Sequence, residues 1–166
     1  MSLNQLIDAM YELNEYHEQL IKLGEQKKQL IIQNQVNKMI SITNTESKLV
    51  KQIEDCEKKR LEAVYGFLQE RGIKSRLNLN MEELIRLVFD QEDKQRIVTA
   101  LELLSGTLGM LKELTAINQQ LIEQSLSYID FYVETLSYAP ENEATYQHPA
   151  EKQYNAQRSG LFDTRA

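Results

Sequence analysis

Two histidines, one cysteine and a scatter of carboxylates are the residues best suited to proton transfer, nucleophilic attack or metal binding in this 166-residue chain. Such chemistry needs convergence: a base within reach of a partner, or three or four ligands around one point. His17 falls on the apolar stripe of a helical pattern and His148 in a polar stretch near the other end, so nothing in the spacing pairs them. Cys56 occupies a seam position in a helical run and reads as a small buried hydrophobe. A single cysteine also excludes an internal disulfide framework and a cysteine-based zinc cluster. Glu12, Glu15 and Glu18 lack a histidine at the one-turn spacing that a di-iron bundle uses. The run Gly106-Thr107-Leu108-Gly109 is not a phosphate loop, because no Lys-Ser/Thr follows it and no strand precedes it. Glu54, Asp55, Glu57, Lys58, Lys59 and Arg60 read as a solvated helix face stitched by one-turn ion pairs. The expectation is a protein with no catalytic residue, no metal and no cofactor: not an enzyme.

Composition narrows the partners. The net charge of −6 argues against binding a nucleic-acid backbone or an anionic membrane surface, both of which need a basic face. Six glycines and two prolines supply little turn chemistry for a sheet-rich fold. No apolar run approaches the roughly 18–20 residues of a membrane span, and no secretory signal is visible. These features predict a soluble, cytoplasmic protein.

The elements that must position the side chains are helical. Leu3, Leu6/Ile7, Met10, Leu13, His17 and Leu20 recur at three- and four-residue steps. The stripe resumes as Met39, Ile42, Glu46, Leu49, Ile53, Cys56, Ala63/Val64 and Phe67. The spacing predicts one helix over about 2–71, roughly 100 Å long at ~1.5 Å per residue. Its polar middle, residues 33–37, marks a weak point, and two shorter helices meeting there are the alternative. Arg71-Gly72 supplies a C-terminal stop. Asn80 with Glu83 forms a capping-box pair, and Leu79 with Leu84 a staple, for a short helix over about 81–89 that plugs the open end of a hairpin. Asp90 caps a third helix over about 91–137. Its inner stripe reads Ile97, Leu101, Leu104, Leu108, Leu111, Leu114, Asn118, Leu121, Ser125, Tyr128 and Tyr132, and it should fold back antiparallel on the first helix. Ser105 and Gly109, small and one turn apart, suggest a close helix crossing.

The fold class is therefore all-α: a long antiparallel helical hairpin, coiled-coil-like, with a short middle helix. Residues 1–138 form the helical domain, and residues 139–166 a polar tail whose composition does not offset the entropy of ordering. Within that tail Tyr146, Tyr154 and Leu161-Phe162 are sparse apolar anchors, a pattern typical of segments that fold on a partner. A helix with surplus apolar surface followed by such a tail points to a protein that binds another chain.

The run from Leu111 to Leu126, Leu-Lys-Glu-Leu-Thr-Ala-Ile-Asn-Gln-Gln-Leu-Ile-Glu-Gln-Ser-Leu, resembles the signature helix of the FlgN family of flagellar export chaperones. The closing Leu161-Phe162-Asp163-Thr164-Arg165-Ala166 is similar to endings seen in Bacillus-like, Gram-positive versions, and the run from Leu13 through His17 and Leu20 to Leu23 also fits. Thr115 stands where the family commonly has Asn. The resemblance implies a type III export chaperone that binds the C-terminal helices of hook-associated (hook–filament junction) proteins, prevents premature assembly and delivers them to the flagellar export gate. It places the client surface on the second half of the third helix and the tail: Leu121, Ile122, Leu126, Ile129, Phe131, Tyr132, Leu136, Leu161 and Phe162. Tyr146 matches the family's gate-docking tyrosine in position, although Gln147 replaces the glycine that usually follows. Client-free, such a protein could self-associate through the same stripe. The competing readings are a coiled-coil scaffold or adaptor, and a helical regulator that sequesters a transcription factor.

Overall fold

The computed structural model describes residues 2–73 and 79–138. Four helices occur in the order α1 (Ser2–Ile32), α2 (Val36–Glu70), α3 (Met81–Arg86) and α4 (Gln91–Ser137), with no strand among the described residues. The fold is all-α. The chain divides into two units, Met1–Leu126 and Ser127–Ala166, the second described only to Tyr138.

The helix expected over 2–71 is instead two. Gln33, Asn34 and Gln35 turn the chain, and Asn34 takes the left-handed conformation with φ 54°. The Gln35 amide donates to the Leu30 carbonyl at 2.9 Å and the Asn34 amide to Ile31 at 3.0 Å, a Schellman closure of α1. Asparagine is the non-glycine residue that tolerates this conformation best, because its short amide compensates locally. The polar middle of the expected helix is therefore a turn, and α1 and α2 fold against each other as an antiparallel hairpin. The Ser2 amide donates to Glu70 at one end, and Lys27 pairs with Glu46 at 2.8 Å towards the other. The α2 seam falls where its spacing predicts, with Leu49, Cys56, Ala63 and Phe67 buried and Met39, Ile42 and Ile53 half-buried. α2 ends in a second Schellman closure: Gly72 at φ 77°, with Ile73 donating to Leu68 at 2.9 Å.

α3 begins with the expected capping box, Glu83 N–H to Asn80 Oδ1 at 2.8 Å and Asn80 N–H to Glu83 at 3.0 Å. It is shorter than the 81–89 expectation and stops at Arg86. Leu84 and Val88 enter a core with Leu3, Leu6, Ile7, Met10, Val64, Phe67, Leu68, Ile97 and Ala100, closing the end of the hairpin where both chain ends of α1 and α2 meet. Phe89, at the end of the expected 81–89 helix, is exposed and lies under the Arg71 guanidinium, 4.9 Å from its ring centroid. Asp90 caps α4 by accepting from the Asp93 amide at 2.9 Å.

α4 runs parallel to α1, not antiparallel as expected for a single first helix. Arg96 donates to Asn4, Thr107 to Asn14 and Asn118 to Gly24, a steady offset of 92 to 94 residues. Its buried seam is Ile97, Ala100, Leu104, Thr107, Leu114 and Asn118. Leu108, expected inside, is exposed, because alternating three- and four-residue steps from Ile97 select Ala100 and Thr107. The close crossing lies at Gly24, where an added Cβ would sit 2.7 Å from Leu114 Cδ2. Ser105 is exposed and Gly109 has open space around it, so neither makes that crossing.

Two substitutions test these constraints. Asn34→Gly should leave the urea midpoint unchanged or raised, whereas Asn34→Val should cost about 1–2 kcal/mol by forcing a β-branched residue into the left-handed region. Gly24→Leu should cost about 1–3 kcal/mol by overpacking against Leu114, and an unchanged midpoint would contradict the close approach.

Candidate functional site

The chemistry-bearing residues of the helical domain are engaged in packing. The His17 Nδ1 lies 2.6 Å from the Leu13 carbonyl, one turn earlier on its own helix. The Cys56 thiol donates to the Ala9 carbonyl at 3.4 Å and is almost fully buried with Leu13 and Leu104. Burial, with the Glu12 carboxylate second, pushes that thiol from about 9 to about 11. The Glu12 carboxyl is held below its ordinary value by the Tyr16 hydroxyl, which donates to it at 3.0 Å. The Glu57 carboxyl is lowered likewise by Arg60. Among the described residues no three His, Cys, Asp or Glu side chains converge as metal ligands.

The residues that stand out are apolar. In the first unit, Leu121 and Ile122 are half-buried. Ile122 lines a groove of about 580 Å³ with Leu20 and Gly24 of α1, Val50 of α2, and Leu114 and Asn118 of α4. Asn118 donates from Nδ2 to the Gly24 carbonyl at 2.8 Å, while its buried Oδ1 has no hydrogen-bond partner among the described residues. Thr107 Oγ1 lies 2.6 Å from Asn14 Oδ1, and Asn14 Nδ2 donates in turn to Glu18. Polar contacts at these seam positions set the α1–α4 register, since any slip would strand buried donors and acceptors.

That register has a limit. At the Asn118–Gly24 offset, the last residue of α1, Ile32, stands level with Leu126. Leu126 is 57 % exposed. Within the second unit Tyr128, Ile129, Phe131, Tyr132, Val133, Leu136 and Tyr138 are all exposed, from 49 % at Ile129 to 86 % at Tyr138. Tyr128 and Tyr132 stack on each other with centroids 6.2 Å apart. The inner-stripe positions assigned to these two tyrosines are therefore corrected: the seam pattern continues in the sequence, but both side chains are exposed. Single exposed hydrophobes are ordinary; here the exposed hydrophobes run over three turns of one helix.

The expected client-binding residues thus separate. Leu121 and Ile122 belong in part to the bundle, and Leu126, Ile129, Phe131, Tyr132 and Leu136 are exposed. Leu161, Phe162 and Tyr146 lie outside the described residues. Val133 and Tyr138 join the surface without having been singled out from the sequence, although their side-chain types carried the signal. A second apolar row, Leu103, Met110 and Ile117, repeats every seven residues on the solvent side of α4 in the first unit. Among the described residues no helix is long and apolar enough to cross a membrane.

A family model described as FlgN protein matches residues 1–153 of the chain. Comparison with curated proteins and with solved structures found no match. Residues 154–166, including Leu161 and Phe162, fall outside the matched span.

The buried thiol generates a pH prediction. The folded-state pKa of Cys56 lies above its ordinary value, so the folded state favours the protonated form. Its contribution is complete below about 9 and lost as pH climbs through about 11. Chemical denaturation of the parent should therefore lose stability over that window more steeply than Cys56→Ala does, and the native thiol should resist alkylation at neutral pH until denaturant is added.

Proposed function

The chain belongs to the FlgN family, a family of flagellar export chaperones, and from that premise we propose that it binds the C-terminal helices of hook-associated proteins. In this reading it keeps hook–filament junction subunits from assembling in the cytoplasm and delivers them to the flagellar type III export gate. It performs no catalysis and uses no cofactor. The observation that carries the reading is the exposed apolar run at the end of α4, Ile129 to Leu136. Subunits that polymerise through amphipathic terminal helices present stripes that self-associate, and a helix with an unfilled stripe can occupy them first. Tyr146 is assigned to gate docking, and Leu161 and Phe162 to added client contact, on family resemblance and sequence pattern.

Co-purification of the full chain with C-terminal fragments of hook-associated proteins, followed by calorimetry, tests the proposal. Binding at 1:1 is expected, with Ile129→Asp weakening it by tenfold or more while the circular dichroism of the bundle stays unchanged. Absence of binding to any such fragment by the folded chain would sink the chaperone reading and leave a coiled-coil scaffold in its place. Tyr146→Ala should leave client affinity unchanged and reduce export of the client in cells, and a loss of affinity would remove the gate assignment.

A further inference from the structure

From Glu113 to Tyr138 the charged residues of α4 are Glu113, Glu123, Asp130 and Glu134, and no lysine or arginine occurs among them. In the second unit the two acids stand one turn apart. Ile129, Val133 and Leu136 follow each other at steps of four and three residues, forming one aliphatic line on the helix. At about 100° per residue, Asp130 and Glu134 fall between that line and Phe131. The apolar surface is thus edged by charge of one sign and by aromatic rings.

We propose that the occupant of this face is an amphipathic segment of another protein whose apolar line is flanked by lysine or arginine. This rests on the reading that the end of α4 is a docking surface, and adds the chemistry of what docks there. A cation beside the partner's apolar line meets Asp130 or Glu134 on one flank, with Phe131 beyond them, and has the faces of Tyr128 and Tyr132 within reach on the other. A partner edged with acids is repelled at the same two positions, which makes the pair a filter as well as a contact. An antiparallel second copy of this chain is disfavoured for the same reason, since that pairing sets the flank bearing Asp130 and Glu134 against itself.

The test uses the full chain and two designed helical peptides with identical leucine stripes, one flanked by lysine and one by glutamate. Calorimetry should find the lysine peptide about tenfold tighter, with the preference shrinking as salt is raised. Asp130→Lys/Glu134→Lys, both exposed, should reverse the preference with no change in circular dichroism. Equal affinity for the two peptides would overturn the charge filter while leaving apolar docking standing. Binding of neither peptide would overturn the docking surface itself. The chain's own Arg158, Leu161, Phe162 and Arg165 carry the same chemistry in sequence, so Leu161→Ser/Phe162→Ser is a further arm. A tenfold gain in affinity for the lysine peptide would name that segment as the occupant and overturn a foreign one. A dimer in sedimentation velocity that Ile129→Asp dissolves would name a second copy instead.

Discussion

The contact on which the rest of the molecule depends is the approach of α4 to Gly24. The absent side chain lets Leu114 lie against the α1 backbone, and the Asn118 amide then reaches the Gly24 carbonyl. A buried asparagine is an expensive way to fill a seam, particularly with its oxygen unpartnered among the described residues. What it supplies is register. With Thr107 on Asn14 and Arg96 on Asn4 it fixes the register in which α4 lies along α1 within the first unit.

Much of this architecture was legible in the sequence, for reasons that can be assigned. Local signals were strong where a residue acts on its own neighbours: the Asn80–Glu83 box, the Asp90 cap and the Gly72 stop all take the roles their types suggest. The α2 seam was legible because three- and four-residue spacing needs no knowledge of the partner. The turn at Asn34 was harder, since a left-handed asparagine in a polar stretch looks the same as a polar helical surface. That ambiguity inverted the topology: one long helix must meet α4 antiparallel, whereas a hairpin lets α4 run parallel to its first arm. Gly24 carried no local signal at all, because its role is defined by Leu114, about ninety residues away.

The exposed apolar run at the end of α4 was legible in type but not in extent. Tyr128 and Tyr132 continue the heptad positions of the inner stripe, so spacing alone assigns them to the core. Only the structure shows that both side chains are exposed. A periodic stripe reports that a helix wants a partner and is silent on whether that partner lies in the same chain.

The asymmetry of the core bears on the order in which the molecule assembles. Its larger cluster joins Val64, Phe67 and Leu68 to Leu84, Val88, Ile97 and Ala100, segments close together along the chain. The entropy of closing such short loops is small, so these pieces can condense early. The first turns of α1 enter the same cluster from some sixty residues away, across the Asn34 turn. During synthesis, α1 therefore emerges first but has to wait, as a lone amphipathic helix, until the chain that will cover it has been made.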